Sequence, residues 1–361
     1  ATSDAAITGM TAPPSSAPFV PGEVLVTYKD GSTPDERHEA LDSVGTDAAS
    51  KAEELTQATD LVDLGRGVTM AQALKELRND PAVEAAEPNY LIEPLSTSND
   101  PEFVGGNLWG MYGERSQPSN PFGTQAAEAW SQGYTGSRDT YVAVIDSGID
   151  ITHPDLAENM WTNMVEATGA PGVDDDGNGY VDDVHGWDFA NDDSTVFDGP
   201  LADSHGTHVA GTIGAVGGNG VGVAGVSWRT TIIPVKFING ANGTTADAVR
   251  AVDYVTRLRT QLGLNVVATN NSWGGHMYSR ALRDAIRRGG DAGIAFVAAA
   301  GNDAVNSDAT PTYPASYDCT TAYRSWDCVV AVASISHEGV LSTYSQYGRN
   351  SVDIAAPGED I

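Results

Sequence analysis

The sequence predicts an α/β protein whose main sheet is doubly wound and mostly parallel, with helices on both faces, preceded by a small α+β unit of ferredoxin-like kind. Three observations carry this. From about residue 125 onward, near-continuous β-prone runs alternate with segments of helical periodicity, as buried strands joined by helical crossovers do. Before them, residues 21–94 show a shorter β-α-β-α-β rhythm with its own turns. A chain of 361 residues, 40% hydrophobic and 19% charged, is long and apolar enough for two cores.

In the first unit, GEVLVTYK (22–29) alternates as a strand. TPDERHEALDSVG (33–45) opens on a capping threonine and closes on glycine, as a helix does. ATDLVDLG (58–65) reads as a second strand, and TMAQALKELRND (69–80) as a second helix with Leu74 and Leu77 on its apolar side. VEAAEPNYLIEP (83–94) returns as extended chain, so two helices should cover one face of a compact sheet. Residues 1–20, rich in Pro, Ser, Thr and Ala, read as a flexible segment, and LSTSNDPEF (95–103) as an exposed junction.

In the second unit the strands are TYVAVIDSG, TIIPVKFI, NVVATNNSWGG, GIAFVAAAGND and CVVAVAS. ADAVRAVDYVTRLRTQLG and YSRALRDAIRRGG are the helices between them. Polar residues at the carboxyl ends of parallel strands stand where ligands bind, and Asp146, Ser272 and Asn302 occupy such positions.

Composition excludes some classes of partner. Nineteen Lys and Arg against 49 Asp and Glu leave a formal charge of -30, which argues against unspecific binding to nucleic acid or an anionic membrane surface. It suits an extracellular or salty setting, calcium binding, or plain solubility. No 18-residue apolar run supports a membrane span. ATSDAAITGM has neither the basic start nor the apolar core of a signal peptide; a mature secreted chain and a cytoplasmic one both fit. Cys319 and Cys328 are spaced so that a disulfide can form, although two buried thiols fit as well.

ADSHGTHVAG (202–211) sets two histidines three residues apart. It lacks the glutamate and the spacing of a zinc-binding HExxH helix. An Asp and a His at the ends of adjacent elements are instead two thirds of a nucleophile-activating arrangement. The acid fixes the imidazole tautomer, and the imidazole removes a proton from a hydroxyl. Singly, Asp146 could be a turn aspartate and His205, opening a helix-like run, a capping or packed histidine.

YVAVIDSGIDITHPDL, DSHGTHVAGT, NNSWGG and AFVAAAGND, in that order, resemble the signatures of the subtilisin-like serine proteases, or subtilases, over nearly all of 103–361. The resemblance implies a serine endopeptidase acting on proteins or peptides, with Asp146 as triad acid, His205 as triad base and Asn302 as an oxyanion-hole amide. His208 would pack. Ser272, Trp273 and Gly274 would line an extended substrate, while Ala299, Ala300 and Gly301 would border the pocket for the residue before the scissile bond, with an apolar or mixed preference. It also favours the Cys319–Cys328 disulfide. GEVLVTYKDG and DPAVEAAEPNYLIEP resemble inhibitor-like propeptides of the family. Residues 21–94 would then be a prodomain that chaperones folding and sends its tail into the cleft, residues 95–102 the linker where processing falls, 103–361 the peptidase domain, and the protein a secreted zymogen.

One expected partner is absent. The family's GTSMA-like nucleophile motif does not occur in these 361 residues, and Ser342, Ser345 and Ser351 all precede its expected place. VDIAAPGEDI (352–361) resembles the segment shortly before it. The resemblance therefore implies a peptidase domain incomplete at its C-terminus and inactive as it stands. A noncatalytic peptide-binding protein using the same cleft is the alternative.

GVDDDGNGYVDDVHGWDF (172–189) is the clearest metal candidate. Asp174, Asp176, Asn178 and Asp182 fall at positions 1, 3, 5 and 9 of a calcium-loop pattern, with Gly179 at the sharp turn and the Tyr180 carbonyl available. His185 stands where that loop needs glutamate, so no EF-hand is indicated, and Asp183 could substitute from another direction. An acidic surface turn would have the same composition. A second structural Ca²⁺ site follows from family likeness alone: Asp155 in HPDL, with Asn219 and the carbonyls of Val221 and Val223 in VGGNGVGV. No organic cofactor is indicated. Asn242 and Asn270 begin glycosylation sequons, the latter on a buried-looking strand.

Overall fold

Alternation builds the N-terminal unit. The computed structural model describes residues 19–45, 52–65, 67–90, 97–320 and 327–361. In it β1 (Phe19–Tyr28) buries Val24, Val26 and Tyr28 and leaves the residues between them less covered, the period of two that a half-buried strand requires. Helix α1 (Pro34–Asp42) opens on a capping box in which Thr33 and Glu36 serve each other's amides. A hairpin of β2 (Glu53–Thr56) and β3 (Thr59–Asp63) follows, then α2 (Met70–Asn79), capped the same way by Thr69 and Gln72, and β4 (Val83–Tyr90). The strands are antiparallel in the order β2-β3-β1-β4. Ala40, Leu41, Ala73 and Leu77 close one core with Val24, Val26, Tyr28 and Val62.

Strand β2 has no counterpart in the sequence-based reading: its residues are all exposed and carry no hydrophobic alternation. The flexible segment expected over 1–20 is corrected at its end, since Phe19 and Val20 belong to β1. Residues 1–18, and 91–94 of the expected last strand, lie outside the described residues.

A second unit spans 95–361. It begins with two short helices, α3 (Pro101–Val104) and α4 (Ala126–Trp130), before β5 (Gly136–Asp146). Next come α5 (Met164–Ala167), β6 (Trp187–Asp188), α6 (Pro200–Gly214) and β7 (Arg229–Lys236). A small hairpin, β8 (Ile238–Asn239) and β9 (Asn242–Gly243), leads to α7 (Thr245–Thr260), β10 (Val266–Asn271), α8 (Arg280–Asp291), β11 (Ala295–Ala299), β12 (Val329–Ile335) and β13 (Ile354–Pro357).

Seven strands form one sheet in the order β13-β12-β11-β10-β5-β7-β6, every pair parallel. Alternate residues of β5 and β7 feed opposite faces. Ala143, Ile145, Ile233 and Val235 pack with α7 and α8, while Val144 and Ile232 pack with Ala210 of α6. The sheet is therefore wound on both faces, and its direction of growth reverses between β5 and β10. Ligands gather outside the carboxyl ends of strands at such a switch point.

The junction expected to be exposed over 95–103 is corrected where it is described: Ser98, Asp100 and Phe103 are buried. Asp100 accepts the amides of Gly218, Asn219 and Gly220, so this stretch is an anchor of the 218–220 loop. Cys319 and Cys328 form a disulfide with their Cα atoms 5.5 Å apart. Beside α6 lies an apolar groove of about 630 Å³, bordered by His208, Gly211, Thr212, Ala215 and Ile361.

Candidate active site

Asp146 ends β5 and is completely buried. Its Oδ1 accepts the Ser147 amide at 2.7 Å and lies 2.7 Å from His205 Nδ1. Its Oδ2 is buried without a hydrogen-bond partner among the described residues. His205 projects from α6, which begins at Pro200, a residue preorganised for a first helical turn. The histidine thus sits in the second turn and does not open the helix. The Asp146 hydrogen bond holds the His205 pKa above the ordinary imidazole value, against the opposing effect of burial. An acid on Nδ1 leaves Nε2 as the proton acceptor of the neutral ring. Among the described residues no hydroxyl bonds to Nε2.

The other predicted residues follow neighbouring strands at the same carboxyl edge. Ser272, Trp273 and Gly274 come just after β10. Trp273 turns its ring into the core, donating from Nε1 to Ile145 O at 2.9 Å and meeting Phe237 edge-on. Gly274 has little room: a Cβ there would lie 3.2 Å from Tyr313 O. Ala299 ends β11, Ala300 is buried with its amide bonded to Val332 O, and Gly301 adopts φ +120° with a Cβ excluded by the Gln346 side chain. That turn leaves Asn302 exposed. His208 lines the groove beside α6.

The acidic loop is built differently from the expected spacing. Glu166, Asp176 and Asp183 bring carboxylate oxygens within 4.8 Å of one another. Glu166 comes from α5 and has no place in the calcium-loop pattern. Its Oε1 accepts the amides of Asp175 and Asp176, and its Oε2 that of Asp182. Asp183, fully buried, accepts from Asn163, Asn178 and Tyr254. Burial, reinforced by the neighbouring Asp176 charge, pushes the Asp183 pKa up to about 6, although those hydrogen bonds pull it down. Asp174 and Asp182 are not among the three clustered acids; they accept the backbone amides of Asn178, Gly179 and Gly172, the Asn178 amide being shared with Asp176, and Asn178 Oδ1 accepts the Tyr180 amide. No Lys or Arg forms an ion pair with the three clustered acids among the described residues.

At the second loop, Asp155 accepts Asn219 Nδ2 at 2.9 Å and the Val223 amide at 2.8 Å, while Asn219 Oδ1 accepts the Val221 amide at 2.7 Å. Asp100 lies in what the sequence presents as a linker, and its part in this loop carries no local signal. Lys236, buried at the end of β7, likewise carries no distinguishing signal in the sequence.

The model of the subtilase family matches residues 137–360, and the model described as the fervidolysin N-terminal prodomain matches residues 5–89. A thermophilic serine proteinase of Bacillus sp. strain AK1 is 32% identical over 344 residues, covering 95% of this chain and 71% of the relative. An extracellular protease of Xanthomonas campestris pv. campestris is 30% identical over 364 residues, covering 93% of this chain and 58% of the relative. A solved structure of a protease from Pseudoalteromonas arctica aligns with a TM-score of 0.51 at 30% identity, covering 73% of each chain. Among the described residues no helix is long and apolar enough to cross a membrane.

Proposed function

The chain belongs to the subtilase family, and from that premise we propose that it is part of a secreted serine endopeptidase zymogen. In this reading His205, oriented by Asp146, takes the proton of a serine hydroxyl as that oxygen attacks a peptide carbonyl. The observation that carries it is the 2.7 Å bond from His205 Nδ1 to the wholly buried Asp146. The imidazolium so formed returns the proton to the leaving amine, and water then hydrolyses the acyl-enzyme. Asn302, exposed beyond β11, would donate to the oxyanion, and the backbone of 272–274 would pair with an extended peptide.

The nucleophile would come from a segment following residue 361 in the parent protein, and the 361 residues alone would be inactive. The open groove along α6 supports this, being an apolar seat where such a segment could pack. Residues 21–94 would be the inhibitor-like prodomain, with processing within 94–102. The match to a prodomain model and the β2-β3-β1-β4 order, that of a ferredoxin-like unit, support that reading. The naming of a relative as an extracellular protease supports secretion.

Glu166, Asp176 and Asp183 would hold a structural Ca²⁺. Three hard oxygen donors, two of them buried and without a cationic partner, fit such an ion. Bound there, Ca²⁺ would neutralise the cluster and fix the loop; it has no part in the acyl transfer. A second ion at Asp155, Asn219 and the Val221 and Val223 carbonyls belongs to the same reading.

The test is a fluorophosphonate probe on the parent protein, with peptide mapping beyond Ile361. Labelling of a downstream serine, abolished by His205→Gln, is expected. A complete domain with no reactive serine would overturn the protease reading in favour of a noncatalytic peptide binder.

A further inference from the structure

We propose that Lys236 is a positioning residue, whose buried ammonium ties the strand carrying Asp146 to the helix carrying His205. The proposal rests on the reading of that pair as acid and base. Lys236 ends β7 directly opposite Asp146 in the β5–β7 register, and its side chain is completely buried. A lysine there is tolerated only if its charge and its donors are met. They are: Nζ donates to Ser147 O, to Asp203 Oδ1 at 2.5 Å and to Ile238 O at 3.1 Å, with Asp198 Oδ2 at 3.4 Å. Asp203 is equally buried, and its other oxygen accepts the amides of Asp198 and Gly199 at the start of α6.

The two ends of this tie are what give it a catalytic bearing. Ser147 immediately follows the acid, and Asp203 precedes the base by two residues on the same helix. Loop and helix touch directly between them. The Gly206 amide donates to Ser147 Oγ at 3.1 Å, and a Cβ on Gly206 would lie 2.3 Å from Gly148 O. A Cβ on Gly148 would in turn lie 2.9 Å from Asp203 Cγ. With no slack at this contact, the Lys236 bonds set how α6 sits on the end of β5. Asp146 Oδ1 takes the Ser147 amide as well as His205, and Oδ2 has no hydrogen-bond partner among the described residues, so the Asp146–His205 distance follows the backbone at 146–147. Among the described residues Lys236 Nζ bonds to neither Asp146 nor His205.

The experiment follows the Nδ1 proton of His205 by ¹⁵N-histidine NMR in the 361-residue chain, the signal being assigned by its loss in His205→Gln. Lys236→Met strands the Asp203 charge and can unfold the protein. The double variant Lys236→Met/Asp203→Leu removes both charges, an exchange that buried ion pairs often tolerate. The double variant should fold, with unchanged circular dichroism, yet its low-field Nδ1 proton should broaden or move upfield. In the parent protein kcat should drop about 100-fold while KM stays within about twofold, as a misplaced catalytic group requires. A folded double variant with the wild-type signal overturns the proposal. So does failure of both variants to fold, which would assign the pair to stability alone. Asp146→Asn is the separate control: if it leaves both the Nδ1 signal and parent activity intact, the acid–base reading itself falls, whatever Lys236 does.

Discussion

Two buried groups of acids lie in the same domain and are balanced in opposite ways. At the carboxyl edge of the sheet, Asp146 faces His205 and Asp203 faces Lys236, so each carboxylate has a cation or potential cation supplied by the chain. At the 174–183 loop, Glu166, Asp176 and Asp183 crowd together, their hydrogen-bond donors among the described residues being amides and the Tyr254 phenol, and burial pushes the Asp183 pKa up to about 6. Three acids in one small volume, with no Lys or Arg paired to them among the described residues, repel one another and are a group that an added cation would stabilise. On the proposed reading the first group serves proton transfer and the second takes an ion from outside.

The largest effect expected from breaking this contrast is at Asp146. Asp146→Asn in the parent protein keeps the shape but loses the tautomer control, and kcat for peptide hydrolysis should fall about 10⁴-fold. The pH dependence carries a definite sign. The Asp146 bond raises the His205 pKa, and on the proposed mechanism the base is the neutral ring, so activity should climb as pH rises through that raised value. Asp146→Asn should move this limb to lower pH. Stability runs the other way. The gain from protonated His205 is full below the unfolded imidazole pKa of about 6.5 and is lost as pH rises through the folded one. Urea midpoints measured against pH should show that decline in the 361-residue chain and not in His205→Gln. Equal slopes would mean that the pair is not coupled as the geometry requires.

The acidic loop should respond to an ion where the catalytic pair does not. Calcium at a hundredfold excess over its Kd should stabilise the domain by about 2.7 kcal/mol, or roughly 5–10 °C in Tm, reversed by chelation. Asp176→Asn should abolish most of that rise while changing the ion-free midpoint little, because relief of repulsion offsets the weakened hydrogen bonds. A full calcium response in the variant would move the ion to the Asp155–Asn219 loop and leave the cluster as a polar turn.

How far each group was legible follows from what fixes it. Parallel strands buried on both faces write themselves as apolar runs, so β5, β7, β10, β11 and β12 were readable, and Asp146 and Asn302 came with them as strand-end polar residues. Asp176 and Asp183 were visible because acids alternate in one loop. Glu166 was not: it reaches the cluster from a separate short helix, and no spacing rule joins it to Asp176. Lys236 lies inside the run TIIPVKFI and has no distinguishing pattern there, and Asp100 lies in what reads as a linker. Both become buried only through tertiary contacts.

A covalent tie gives a scale for these charges. The Cys319–Cys328 bridge closes a ten-residue segment, worth about 2–3 kcal/mol by loop entropy. The double Cys→Ala variant should lose that much in urea unfolding and leave the calcium increment and the His205 signal as they were. A loss of either would mean that the 319–328 segment couples to one of the acid groups.

The smallest effect is expected where an acid is neither buried nor crowded. Arg138 and Glu158 form an ion pair with about half of each side chain or more in solvent, 48% and 61%. Water already solvates both charges there, and two long side chains must be ordered to meet, so the net gain is no more than about 1 kcal/mol. Glu158→Gln should therefore shift the urea midpoint little, and the shift should shrink further in high salt, which screens exposed pairs but hardly touches buried ones. The same salt titration on Asp203→Asn separates the two cases. Its loss should persist at high salt, because the partner it abandons, Lys236, has no water to fall back on. If both variants respond to salt alike, burial is not what distinguishes these carboxylates, and the contrast between the sheet edge and the surface fails with it.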